Sequence, residues 1–84
     1  MARTSYPKHE IRILLLEGIS QNAVEQFRAA GYSRIDQFDK SLPEDELRRQ
    51  VADAHFIGIR SRTQLTAEVL GEARRLLAVG CFCI

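Results

Sequence analysis

Strand-like runs and helix-like stretches alternate along this chain from residue 11 to its end. Ile11-Arg12-Ile13-Leu14-Leu15-Leu16 is a run of branched and apolar residues, the pattern of a strand buried on both faces of a parallel sheet. Glu17-Gly18 closes it. Ser20 offers an N-cap hydroxyl, and Ala23, Val24, Phe27 and Ala30 follow at helical spacing. Gly31 stands where a helix C′ residue belongs. Residues 33–38 read as a weaker second strand, with Ile35 its main apolar residue. Ser41-Leu42-Pro43-Glu44 reads as a capping box. The helix behind it carries Leu47, Val51 and Ala54 on one face, with Glu44, Asp45, Glu46, Arg48 and Arg49 in solvent. Residues 54–59 are a third strand. Thr66 caps a third helix that buries Val69, Leu70, Ala73 and Leu76, and residues 77–84 begin a fourth strand.

The order β-α-β-α-β-α-β predicts an α/β fold, a flavodoxin-like or Rossmann-like parallel sheet with flanking helices and right-handed crossovers. With 84 residues there is room for one small domain. Hydrophobic residues make up 45% of the chain, enough to argue against disorder. Lys plus Arg number 12 and Asp plus Glu 11, a balance that gives no reason to invoke nucleic acid or an anionic membrane as partner. The first apolar run is too short for a signal peptide or a membrane span. Two cysteines are no disulfide framework, so a soluble cytoplasmic protein is expected.

Residues 1–10 are polar and predicted to fray. At the other end, Val79-Gly80-Cys81-Phe82-Cys83-Ile84 is apolar to the last residue. Natural domains avoid an exposed apolar edge, so the layer is expected to be incomplete at the C-terminus and the chain truncated. Cys81 and Cys83 share one face of that strand. A zinc site would need further ligands at suitable spacing, and none is present, so buried, inert thiols are expected. His55 precedes the third strand and is assigned a structural hydrogen bond. His9 lies in the polar leader, and Arg74-Arg75 are read as solvated helix charges.

In open parallel sheets, ligands bind outside the carboxyl ends of the strands. Arg60-Ser61-Arg62-Thr63 lies at such an end. It offers two guanidinium groups, two hydroxyls and loop N–H groups, and guanidinium forks match carboxylate and phosphate geometry. The helix beginning after Thr66 adds partial positive charge. Spacing alone leaves two readings open: an anion site, or a solvated loop with a helix cap.

Asp53-Ala54-His55-Phe56-Ile57-Gly58-Ile59-Arg60-Ser61-Arg62-Thr63, followed by Leu65-Thr66, closely resembles the third strand and loop of bacterial D-3-phosphoglycerate dehydrogenases. Arg28-Ala29-Ala30-Gly31-Tyr32, the opening strand with Glu17-Gly18, and Val79 to Ile84 resemble the same family at matching places. The Arg-Ser-x-Thr loop is shared across the wider D-2-hydroxyacid dehydrogenases. The Gly-Cys-Phe-Cys-Ile strand narrows the resemblance to the phosphoglycerate branch. The likeness covers most of the chain from about residue 11 onward.

The resemblance implies an NAD-dependent enzyme that oxidises the C2 hydroxyl of 3-phosphoglycerate and opens the phosphorylated route to serine, as a homo-oligomer. It implies that residues 11–84 are the first part of a split substrate-binding domain. Arg60 and Ser61 match residues that hold the anionic substrate, and Arg62 matches a further cationic contact in the bacterial branch. Thr63 is a further candidate, with loop stabilisation as its alternative role. Bacterial relatives carry a substrate-binding lysine after the second strand. Lys40 is the nearby candidate here, shifted by one, with Asp39 in the expected place.

The departures are equally specific. No Gly-x-Gly-x-x-Gly fingerprint occurs. The family's catalytic His with its carboxylate, its catalytic Arg, and its NAD-binding and regulatory domains have no counterpart in these residues. No catalytic, cofactor-binding or metal residue is therefore assigned, and the 84 residues alone are expected to be inactive. Three competing readings stand beside this one. The first is a non-catalytic module or remnant that binds a small anion through the same loop. A structural or interaction fragment is the second. The third, a receiver-like signalling domain, needs an acidic cluster after the first strand and a phosphorylatable Asp after the third, where this chain has Glu17-Gly18 and Arg60.

Overall fold

A computed structural model describes residues 7–82. Among these residues, after a short 3-10 turn at Lys8–Glu10, four strands alternate with three α-helices: β1 (Arg12–Leu15), α1 (Gln21–Ala29), β2 (Arg34–Gln37), α2 (Glu44–Val51), β3 (Phe56–Ile59), α3 (Ala67–Glu72) and β4 (Ala78–Cys81). All pairings are parallel and the order is β2-β1-β3-β4. This is the opening order of a doubly wound, flavodoxin-like sheet, as the alternation predicts.

β1 is central because its side chains satisfy both faces. Leu14 and Leu16 pack with Leu47, Val51, Ala54, Ile57 and Val69 under α2 and α3. Ile13 and Leu15 pack with Ile19 and Val24 under α1, where Phe27, Tyr32, Phe56 and Phe82 close the rim. Alternation along one strand thus divides the apolar run between two layers. β2 is an edge strand, with only Ile35 half-buried.

The α1 and α3 caps form as expected. The Ser20 hydroxyl accepts from the Ala23 N–H and the Thr66 hydroxyl from the Val69 N–H. Gly31 takes a φ of +106° after α1. The expected capping box does not form. Pro43 is the N-cap of α2, extended at φ −57°, ψ 155°, with no side-chain cap bond. The helix starts only at Glu44, so Ser41 falls outside it.

Three burial expectations are corrected. Leu70 is 41% exposed, because α3 has six residues and meets the core through Val69. Ala30 is the exposed C-cap of α1 rather than part of its buried face. Cys81 is exposed on the edge strand β4 instead of buried. Cys83 lies outside the described residues. The polar leader is also tied down in part. Lys8 donates through Nζ to the Ala30 carbonyl at 2.6 Å and sits 5.5 Å from the Tyr32 ring centroid. Among the described residues no helix is long and apolar enough to cross a membrane.

Close approach fixes Gly58 on β3. A Cβ there would lie 2.6 Å from Leu15 Cδ2 and 2.9 Å from Phe82 Cε1. Gly58→Ala is expected to destabilise the fold by about 1–2 kcal/mol, since overpacking a filled layer outweighs the entropy that alanine saves. A lowered urea midpoint would show it, and an unchanged or raised midpoint would contradict this packing.

Candidate functional site

The switch point of a doubly wound sheet lies where successive crossovers leave in opposite directions. Here that is the carboxyl end of β1 and β3, with β2 following β1 on one side. Three loops meet there: Glu17-Gly18 after β1, Asp39-Lys40-Ser41 after β2, and Arg60-Ser61-Arg62 after β3. Together they line an open cleft of about 550 Å³. The candidates Arg60, Ser61, Arg62 and Lys40 are thus brought into one place, from segments about 20 residues apart in sequence.

Glu17, for which the sequence suggested only a strand end, organises the cleft. One carboxylate oxygen accepts from the N–H of Arg60 at 2.9 Å and of Thr63 at 2.9 Å, and the other accepts from the N–H of Arg62 at 2.8 Å. Its backbone has a φ of 67°, as does Gly18 after it. For a residue with a Cβ this left-handed conformation is uncommon. It turns the side chain toward the loop after β3. Backbone bonds from Glu17 N–H to Lys40 O (3.4 Å) and from Gly18 N–H to Phe38 O (3.0 Å) draw the β2 loop to the same point.

Partial burial disfavours the Glu17 charge. The Thr63 side chain and the three loop N–H groups more than offset this, and hold the carboxyl at about 2, down from the ordinary 4.5. The Thr63 hydroxyl contributes here although it makes no hydrogen bond of good geometry. Because the folded-state value is depressed, the loop gains full stability above about pH 4.5 and loses it as pH falls toward 2. The amide signals of Arg60, Arg62 and Thr63 are therefore expected to move together on acidification, with a midpoint near 2. A common midpoint at the ordinary 4.5 would contradict the hydrogen-bonded carboxylate.

These bonds correct two features of the expected anion site. Three of the loop N–H groups point at Glu17 rather than at a ligand. The start of α3 lies beside a second hollow lined by Ser41, Leu42, Glu44 and Gln64, so Thr66 does not face the first cleft. Thr63 is buried at 9% exposure and does not line the first cleft either. The residues that line the cleft are Lys40, Arg60 and Arg62 with Glu17 and Asp39, and the hydroxyl residues Ser41 and Ser61. Three cations, Lys40, Arg60 and Arg62, face two carboxylates, Glu17 and Asp39, so the lining keeps a small excess of positive charge and offers several donors to a small anion with several oxygens.

A second polar centre sits at the opposite end of the sheet. Arg12 is 7% exposed inside the apolar run. It binds Asp36 at 2.7 Å, Asp53 at 2.7 Å, and the backbone and side-chain oxygens of Gln50. The Arg12 N–H donates to His55 Nδ1 at 3.0 Å, the structural hydrogen bond expected of that histidine. Burial, with Arg75 and Arg34 nearby, lowers the His55 pKa. None of these residues lines the cleft.

Residues 13–84 match the family "D-isomer specific 2-hydroxyacid dehydrogenase, catalytic domain", and the chain belongs to that family. Within it, the chain is similar to proteins named D-3-phosphoglycerate dehydrogenase. It is 49% identical over 84 residues to that of Escherichia coli (strain K12), covering 100% of this chain and 20% of the relative. It is 50% identical over 82 residues to that of Haemophilus influenzae, covering 98% and 20%. D-3-phosphoglycerate dehydrogenase 1 of Saccharomyces cerevisiae is 47% identical over 75 residues, covering 89% and 16%. The chain spans about a fifth of the length of the curated relatives it matches.

Proposed function

We propose that residues 11–84 are the first part of a substrate-binding domain, and that the cleft at the switch point is one wall of the substrate site. The reaction proposed for the whole protein is oxidation of 3-phospho-D-glycerate at C2 to 3-phosphohydroxypyruvate, with NAD as hydride acceptor, in L-serine biosynthesis. The observation that carries this reading is the gathering of Arg60, Ser61, Arg62 and Lys40 around one cleft in a chain of this family. Arg60 and Arg62 hold anionic oxygens, Ser61 donates a hydroxyl hydrogen bond, and Lys40 closes the far side as a point charge. Thr63 serves the loop, through its N–H on Glu17.

The residues present do not fit NAD. In dinucleotide folds the pyrophosphate lies on a glycine-rich turn at the start of the first helix. Here that turn carries the Glu17 carboxylate, and the Ser20 hydroxyl accepts the Ala23 N–H. The cofactor then belongs to a separate dinucleotide-binding domain, and the base that takes the C2 proton lies outside this chain. In this reading the full-length protein is a cytoplasmic homo-oligomer.

Reduction of NAD by the full-length natural protein tests the proposal, with 3-phosphoglycerate against glycerate lacking the phosphate. The expected result is turnover with 3-phosphoglycerate and little with glycerate, and none from the 84 residues alone. Equal turnover of both would remove the phosphorylated substrate from the reading.

A further inference from the structure

A carboxylate in the wall of an anion-binding cleft is at first sight misplaced. Two like charges a few ångströms apart repel by about 4 kcal/mol at the effective dielectric of a protein surface. Glu17 lines the cleft alongside Arg60 and Arg62. It reaches its place through a left-handed backbone that residues with a Cβ rarely adopt. Such local strain persists where surrounding structure requires it.

The bonds it makes supply the requirement. Three N–H groups from four consecutive residues converge on two carboxylate oxygens, at 2.8–2.9 Å. With the N–H groups of Arg60, Arg62 and Thr63 tied to Glu17, the backbone of this loop is fixed, and Arg60, Ser61 and Arg62 line the cleft. Arginine is a long side chain whose binding strength depends on the guanidinium plane being aimed in advance. Occupied N–H groups also remove a competing site. Left open, successive N–H groups of this kind would form an anion-binding nest and draw an anion toward the backbone.

We infer that Glu17 is a positioning residue for the substrate: by holding the backbone of residues 60–63, its carboxylate aims Arg60 and Arg62 into the cleft and denies the loop N–H groups to the anion. The inference rests on the proposed substrate cleft. Glu17 acts through Arg60 and Arg62, so removing it costs little once both arginines are gone.

The test is a double-mutant cycle on the full-length natural protein, reading the Kd for 3-phosphoglycerate by calorimetry, with KM for 3-phosphoglycerate, KM for NAD and kcat alongside. Glu17→Gln keeps the size but sets an NH₂ group against a loop N–H. Glu17→Asp keeps the charge but withdraws it by one methylene, and serves if the glutamine variant does not fold. Either substitution is expected to raise Kd and KM for 3-phosphoglycerate on the order of tenfold to a hundredfold, the scale of a misplaced binding group. KM for NAD stays unchanged, which general loosening of the fold would not produce. In a background with both Arg60→Ala and Arg62→Ala the same substitution adds less than about twofold, because coupled residues are not additive.

The outcomes separate. If Arg60→Ala leaves Kd unchanged, the substrate-cleft reading fails and this inference with it. If Arg60→Ala weakens binding but both Glu17 variants bind as the parent does, the cleft stands and the positioning role is overturned. A loss fully additive with that of the double alanine background overturns it too, since Glu17 would then act independently of both arginines.

Discussion

Replacing Arg60 by alanine in the full-length protein is expected to weaken 3-phosphoglycerate binding by about 1.5–3 kcal/mol, the range of a hydrogen bond to a charged group. That is roughly a 10- to 150-fold rise in Kd. The expectation comes from position as well as charge. Arg60 is the first residue after β3 and its N–H is tied to Glu17 at 2.9 Å, so the root of its side chain is fixed at the rim of the cleft. Its exposed side chain makes no large contribution to folding, so the loss should appear in binding with little change in unfolding midpoint. Isothermal titration of parent and variant gives the answer. Equal affinities would exclude Arg60 as a substrate contact.

Arg12→Ala should be among the most damaging single changes to the fold, at about 3 kcal/mol, because it deletes several charge-assisted bonds and a buried stem together. The arginine joins β1 to β2 through Asp36, and to the end of α2 through the backbone and side-chain oxygens of Gln50 and through Asp53. The loss stays below the cost of orphaning a fully buried charge. The Asp36 and Asp53 side chains are 54% and 58% exposed and can be rehydrated. Arg12→Met should recover part of the loss, since it refills the apolar volume around the stem. Urea unfolding of the three proteins tests this. A midpoint unchanged in Arg12→Ala would mean that the network adds nothing net to stability.

Much of the architecture was legible because it depends on local signals. Alternating runs placed all four strands and three helices, and Ser20, Thr66 and Gly31 marked helix ends through chemistry that acts within one turn. Errors arose where a local pattern had a tertiary competitor. Ser41-Leu42-Pro43-Glu44 has the spacing of a capping box, yet Ser41 is drawn to the cleft and the helix opens at Glu44. Leu70 has helical spacing, but a six-residue helix offers the core too narrow a face to bury it. Arg12 passed as part of an apolar run, because its partners lie 24 to 41 residues away.

The site shows the same division. Arg60-Ser61-Arg62-Thr63 was readable as one contiguous cationic loop at a strand end. Its neighbour Lys40 needed the strand order β2-β1-β3 before it could be placed beside that loop. Glu17 was missed altogether. The available signal was an acidic residue at the carboxyl end of the first strand, next to a glycine, at what becomes the switch point of the sheet. That signal has meaning only once β1 and β3 are known to be neighbours.

The full-length protein should be crystallised with 3-phosphoglycerate and the ligand's oxygens located. The account predicts anionic oxygens within hydrogen-bond distance of Arg60 and Ser61, with Arg62 and Lys40 facing the same molecule and the Glu17 carboxylate still on the loop N–H groups. A ligand bound elsewhere, with residues 60–62 touching only solvent, would contradict it.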